Sequence, residues 1–292
     1  MMLFKGSGVA ISTPFTEDAI NFDTFGKLID FHLENGTDAL IVCGTTGEPS
    51  TMCYDEKCSL IDFAVKRVQN RIPVIAGVGG NNTADVIKCA QNAKDSGANA
   101  VLAVTPYYNK CTRRGLIEHF LKLANTVDLP IMIYNVPSRT GVNLTADVFD
   151  ELSEHKNIDS IKEACANISQ IAEVARLTRN KATLYSGNDD HVVPVLSLGG
   201  MGVVSVLANI MPRYMHDMVM AYLEGDTQKA CDMQLAVNPL ANALFCEVNP
   251  IPVKTALRLM GFEMGPFRLP LTEMEEKNYD LLVQQLKDFK LI

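Results

Sequence analysis

Eight short apolar runs, at residues 8–13, 39–43, 73–79, 100–105, 131–136, 158–164, 183–187 and 202–207, alternate with stretches of helical periodicity, and no other feature restricts the fold as tightly. Their average spacing of roughly 25 to 30 residues is what one strand, one helix and two short loops need. Runs that are apolar almost throughout, rather than at every second residue, fit parallel strands covered on both faces. Eight such units predict a (β/α)8 TIM barrel built from residues 1–225. After Gly225 the strand-like runs stop, and helical patterns over 227–242, 252–260 and 273–291 predict a C-terminal helical appendage, residues 226–292, with a covering or oligomer-contact role. A doubly wound open sheet is the competing α/β architecture. Its dinucleotide fingerprint is missing, because Gly77-Val78-Gly79-Gly80-Asn81-Asn82 lacks the third glycine of G-x-G-x-x-G and no P-loop lysine follows any glycine cluster.

Composition narrows the function. With 292 residues, 47% of them hydrophobic, the chain buries a large core, and a formal charge of -8 without any basic run argues against nucleic acid or an anionic membrane as partner. The N-terminal residues have neither the charged start nor the long apolar core of a signal peptide, and no apolar run reaches spanning length, so a cytoplasmic protein is expected. The eight cysteines form no Cys-x-x-Cys pair and the five histidines no metal spacing. The cysteines are expected to be mostly small core residues, and no metal site is expected.

Chemistry in such a barrel collects at the C-terminal ends of the strands, where the βα loops converge. Lys162 falls there, in the run Ile158-Asp159-Ser160-Ile161-Lys162-Glu163-Ala164, where an apolar side chain is expected. Two explanations fit. Either Lys162 pairs with Glu163 or another carboxylate at an exposed strand end, or it is desolvated, which lowers an amine's pKa and makes it a nucleophile able to form a Schiff base. Tyr134 on the fifth run is either the acid–base partner such chemistry needs or a rim aromatic with its hydroxyl in water. Thr45 and Thr46, after the second run, are turn residues whose hydroxyls and amides can also bind a carboxylate or relay a proton. Arg139, after the fifth, is a solvated loop charge or a fork of donors for a carboxylate. Tyr107, Tyr108, Gly187 and Asn188 share the same rim. Gly199, Gly200 and Gly202 precede the eighth run and fall at the opposite face, as a tight turn rather than a phosphate cradle.

Five segments then act together: Gly44-Thr45-Thr46-Gly47-Glu48, Pro106-Tyr107-Tyr108, Tyr134-Asn135-Val136-Pro137-Ser138-Arg139-Thr140-Gly141, Ile161-Lys162-Glu163-Ala164 and Asn249-Pro250-Ile251-Pro252-Val253-Lys254. In that order they make the chain resemble, end to end, the dihydrodipicolinate synthase (4-hydroxy-tetrahydrodipicolinate synthase) family of class I pyruvate aldolases. The resemblance implies an enzyme of diaminopimelate and lysine biosynthesis that needs no cofactor. Lys162 would form a covalent imine with pyruvate, and the derived enamine would add to L-aspartate 4-semialdehyde. It further implies that Tyr134, Thr45 and Tyr108 form a hydroxyl proton relay, with Tyr108 supplied by a neighbouring subunit. Thr46 would hold the pyruvate carboxylate and Arg139 that of the semialdehyde, while the backbone of Gly187 and Val204 would line the pocket. A homotetramer built as a dimer of dimers is the implied assembly.

Sister enzymes, N-acetylneuraminate lyase and the keto-sugar-acid aldolases, keep the lysine and tyrosine but carry an uncharged residue in the lyase-like pattern where this chain has Arg139, which favours the synthase. A non-catalytic keto-acid-binding barrel is the reading from another class, and a buried amine beside a phenol speaks against it. The family also has a lysine feedback site. Asn81, Asp85 and Tyr107 resemble its binding positions, whereas Tyr54 and Lys57 stand where inhibitable members commonly carry histidines. A cation at Lys57 opposes the ammonium of a bound lysine, so weak or absent feedback is expected. Cys53, ahead of the helix starting at Tyr54, is a poor N-cap expected to cost on the order of 1 kcal/mol.

Overall fold

Strands β1 (Gly6–Ala10), β2 (Ala39–Val42), β3 (Val74–Gly77), β4 (Ala100–Val104), β5 (Ile131–Asn135), β6 (Ile158–Glu163), β7 (Thr183–Ser186) and β8 (Gly202–Ser205) pair in parallel and in sequence order, in a computed structural model that describes residues 2–292. β8 pairs back onto β1, closing the expected barrel. The apolar runs extend past the last ladder pair because the first loop residues are also buried: Cys43, Val78, Thr105, Val136, Ala164 and Val206 are all inside. Apolar character therefore marks the covered segment, and only its front part is strand.

The helices are α1 (Phe22–Glu34), α2 (Tyr54–Val68), α3 (Thr83–Asp95), α4 (Arg113–Thr126), α5 (Pro137–Thr140), α6 (Ala146–Leu152), α7 (Ile168–Thr178), α8 (Val192–Ser197), α9 (Pro212–Leu223), α10 (Thr227–Ala243), α11 (Ile251–Leu259) and α12 (Glu276–Asp288). α5 and α8 are too short for a 3.6-residue period to register in the sequence. Asn82, Thr112 and Asn167 cap α3, α4 and α7, each accepting a first-turn amide as small polar N-caps do. The Cys53 side chain makes no capping hydrogen bond, but the start of α2 is not left bare. Glu56 reaches back to accept the Cys53 amide at 2.9 Å, the reciprocal half of a capping box, and Arg268 holds that carboxylate in turn. The cysteine expectation is corrected: only Cys43 is buried, while Cys53, Cys111 and Cys231 are exposed and the other four half-buried. These residues sit on helices and loops at the outer layer, where the barrel does not need small fillers.

Two apolar layers result. Side chains such as Leu40, Val101, Ile133 and Ile161 face the helices, and Ile41, Leu102, Met132, Tyr134, Tyr185 and Val204 fill the barrel interior. The N-terminal end of the barrel is plugged. Phe4 stacks on Tyr185 with ring centroids 4.4 Å apart, and the Tyr185 hydroxyl donates to the Phe4 carbonyl at 2.6 Å. Among the described residues this packing closes that end, and the strand C-termini lie at the other. α10 packs on α9 and α12, and α11 carries the C-terminal region back toward the turn that follows β2. Among the described residues, no helix is long and apolar enough to cross a membrane.

Candidate active site

Alternation along β6 settles the first ambiguity. Ile161 and Glu163 point outward while Lys162 points into the barrel, so neighbours in sequence are on opposite faces. Glu163 is occupied there: Asn135 Nδ2 donates to both carboxylate oxygens at 3.0 and 3.1 Å, and the Cys165 amide donates at 2.8 Å. Lys162 therefore does not pair with Glu163. It is 5% exposed and makes no ion pair or hydrogen bond among the described residues. Burial lowers its pKa from 10.5 to about 7, with the Asp189 carboxylate opposing the shift and the Arg139 guanidinium adding to it. Asp189 is itself fixed, since its Oδ2 accepts the amides of Val206 and Leu207 at 3.0 and 2.9 Å. Gly187 closes on the lysine stem. A Cβ at that position would lie 2.7 Å from the Ala164 Cβ and 3.1 Å from the Lys162 Cγ, a contact only glycine avoids.

Tyr134 is the register partner of Lys162 on β5, and the lysine Nζ lies 4.3 Å from its ring centroid. The ring is 7% exposed, which removes the reading of a rim aromatic in water. Burial pushes the phenol up to about 12, against the pull of the Arg139 charge and a hydrogen bond from Thr45. At neutral pH it is a protonated donor beside an amine near the midpoint of its titration.

Thr45 and Thr46 open a 3-10 turn, Thr45–Gly47, directly after β2. Thr46 is buried and its Oγ1 accepts from Asn249 Nδ2 at 3.1 Å. The Gly47 carbonyl accepts from the Thr13 hydroxyl at 2.8 Å. Glu48 ends the turn in the left-handed region, φ 57°, and its carboxylate meets Lys254 Nζ at 2.7 Å, with side chains 1% and 0% exposed. Burial raises the Glu48 pKa and lowers that of Lys254, and each is opposed by the other's charge. Lys254 also donates to the Pro266 carbonyl and lies over the Phe15 ring. Sequence reasoning did not single out Glu48, Asn249 and Lys254 as site residues. For Lys254 the available signal was the one that found Lys162, a charge set in an apolar segment, while Glu48 and Asn249 carried no such signal.

Above Tyr134 a cavity of about 290 Å³ opens, lined among others by Thr45, Lys57, Tyr107, Tyr134, Arg139 and Thr140. Its two charged lining residues, Lys57 and Arg139, are both cations. Arg139 is exposed on α5 and makes no ion pair among the described residues. Lys162, Thr46, Gly187 and Val204 do not line this space; Lys162 lies against the Tyr134 ring, and Val204 is packed in the barrel interior. Tyr108 is 90% exposed with φ 67°, a strained conformation for a tyrosine, and does not line the cavity of its own chain. A second space of about 170 Å³ shares Lys57 and Tyr107 with the first and brings in Asn81 and Asp85. Four of the five positions named for lysine feedback thus meet. Tyr54 is not in that lining, and its ring carries Lys88 Nζ at 4.0 Å.

Residues 3–289 match the sequence profile described as the dihydrodipicolinate synthetase family. A 4-hydroxy-tetrahydrodipicolinate synthase of Thermoanaerobacter sp. (strain X514) is 54% identical over 293 residues, covering 100% of this chain and 99% of the relative. One from Caldicellulosiruptor bescii is 54% identical over 290 residues, covering 99% and 98%. The crystal structure of dihydrodipicolinate synthase from Aquifex aeolicus superposes with a TM-score of 0.97 at 46% identity, over 99% of both chains.

Proposed function

The chain belongs to the dihydrodipicolinate synthetase family, and from that premise we propose how its own residues run the condensation of pyruvate with L-aspartate 4-semialdehyde to 4-hydroxy-tetrahydrodipicolinate. It is an enzyme, a class I aldolase-type lyase of the diaminopimelate and lysine pathway. The observation that carries the reading is the unpaired, buried Lys162 amine against Tyr134, under a cavity whose charged lining is wholly cationic. Every substrate here is a carboxylate, so that lining matches the chemistry.

Lys162 adds to the pyruvate ketone, and the carbinolamine loses water to give a protonated imine, with Tyr134 donating and recovering protons. Loss of a methyl proton gives the enamine, whose carbon bonds to the aldehyde carbon of the semialdehyde while that oxygen takes a proton. The amino group of the incoming substrate then attacks the imine carbon, closes the ring and expels Lys162. The imine is the electron sink, so no further cofactor is required. Thr46 holds the pyruvate carboxylate and Arg139 that of the semialdehyde, while Thr45 passes protons between Tyr134 and Tyr108. The exposure of Tyr108 supports its service to a second copy of the chain, and we extend the proposal to a homotetramer in the cytoplasm. Arg139 favours this reaction over a sugar-acid lyase, whose substrate needs hydroxyl-lined space.

Borohydride reduction in the presence of pyruvate, adduct mapping and turnover with either aldehyde test the proposal. An adduct on Lys162 and turnover of the semialdehyde are expected. No adduct overturns every enzymatic reading, and turnover of only N-acetylneuraminate overturns the synthase. Weak lysine feedback belongs to the same proposal, from the cation Lys57 in the 170 Å³ space, and inhibition at micromolar lysine contradicts it.

A further inference from the structure

The Thr45–Gly47 turn makes its own backbone hydrogen bonds, Gly47 N–H to the Gly44 carbonyl at 2.9 Å and Glu48 N–H to the Thr45 carbonyl at 3.1 Å, but these do not account for the strain at its two ends. Cys43 before it and Glu48 after it both have positive φ, 58° and 57°, without being glycine, so tertiary contacts must keep the chain in a conformation it does not prefer. Those contacts come largely from outside the barrel. Asn249 donates to the Thr46 hydroxyl across 203 residues of sequence, and Lys254 closes a dry ion pair on Glu48 across 206. The polar role of Asn249 is narrow: its Oδ1 is buried and has no partner among the described residues, so the side chain's one hydrogen bond goes to Thr46.

That bond has a direction with a chemical consequence. A threonine hydroxyl has one proton to give and lone pairs to accept with. Because the Asn249 amide occupies the acceptor side, the Thr46 proton is left to point at a ligand oxygen. We propose that Asn249 and Lys254 are positioning residues for the carboxylate of pyruvate: Asn249 orients the Thr46 hydroxyl as a donor, and Lys254, through Glu48, fixes the far end of the turn that carries it. This rests on the reading of Thr46 as the pyruvate-carboxylate residue. It makes the C-terminal region part of how the barrel recognises its first substrate.

The test is a double-mutant cycle of Asn249→Ala with Thr46→Val, read by the rate of pyruvate adduct formation on Lys162 and by the KM of each substrate. Asn249→Ala is expected to raise the pyruvate KM about tenfold, the loss of one oriented hydrogen bond, and to leave the semialdehyde KM within about twofold. Added to Thr46→Val, it is expected to do no further harm. Asn249→Asp, nearly isosteric, is expected to be worse than Asn249→Ala, because a carboxylate there takes the Thr46 proton. Should Asn249→Ala not fold, Asn249→Ser reads the same split at smaller amplitude. Equal changes in both KM values, or additive losses in the double variant, overturn the inference while leaving Thr46 in its role. An unchanged pyruvate KM in Thr46→Val removes the premise and the inference with it.

Discussion

Two lysines are buried in this protein, and they are opposites. Lys254 is fully enclosed and answered: Glu48 lies 2.7 Å from its ammonium, the Pro266 carbonyl takes a second proton, and aromatic rings cover it. Lys162 is nearly as enclosed and makes neither an ion pair nor a hydrogen bond among the described residues. Burial alone disfavours the charged form in both cases. The difference lies in what surrounds the nitrogen. An amine held by partners serves as a fastener, while an unpaired one is free to act as a nucleophile. Burial of a lysine therefore says little about its role until its partners are known.

The sharpest way to break the contrast is to remove each amine. Lys162→Ala is expected to abolish the pyruvate adduct and lower turnover by about 10⁴-fold or more, measured by mass spectrometry and steady-state assay. Lys254→Met is expected to cost about 3–5 kcal/mol of stability in denaturant titration, because it leaves Glu48 buried and unpaired. Lys162→Met should do the reverse and stabilise the fold. That gain depends on pH with a definite sign. Below pH 7 the folded lysine is still charged and pays the full desolvation cost; between about 7 and 10.5 the unfolded chain binds a proton that the folded chain does not, so the wild type gains stability and the gap to Lys162→Met closes. A gap that widens with rising pH contradicts the assignment.

Arg139→Ala is expected to leave adduct formation near wild type while raising the semialdehyde KM roughly 10- to 100-fold, since the main cause of the lowered Lys162 pKa is burial, with Arg139 the smallest of its three contributors. Cys53→Ser, remote from both lysines, is expected to stabilise α2 by at most about 1 kcal/mol, because Glu56 already satisfies one amide of that cap. A larger gain shows that the Glu56 contact counts for little.

The barrel was legible because its signal is repeated eight times, and repetition tolerates error at every boundary. Lys162 was legible because it violates an apolar run, and Tyr134 because adjacent parallel strands bring their ends to one rim. The outward turn of Glu163 also follows from the two-residue period, which removes the pairing that the sequence left open. Lys254 violated an apolar segment in the same way, yet nothing local names a partner 206 residues away. Asn249 was hidden for the same reason, since a hydrogen bond to Thr46 exists only after the C-terminal region folds back over the barrel. Cysteine burial was misjudged because the residue type's average says nothing about which layer of the barrel a given helix face meets.

Lys162 works because it is buried and unanswered. Measuring the rate of the borohydride-trapped pyruvate adduct from pH 5 to 10, with the modified residue mapped, tests it most directly. Modification of Lys162 is expected, with a half-maximal rate near pH 7 that matches an amine lowered to about 7. A profile still rising above pH 9, or an adduct on another lysine, contradicts it.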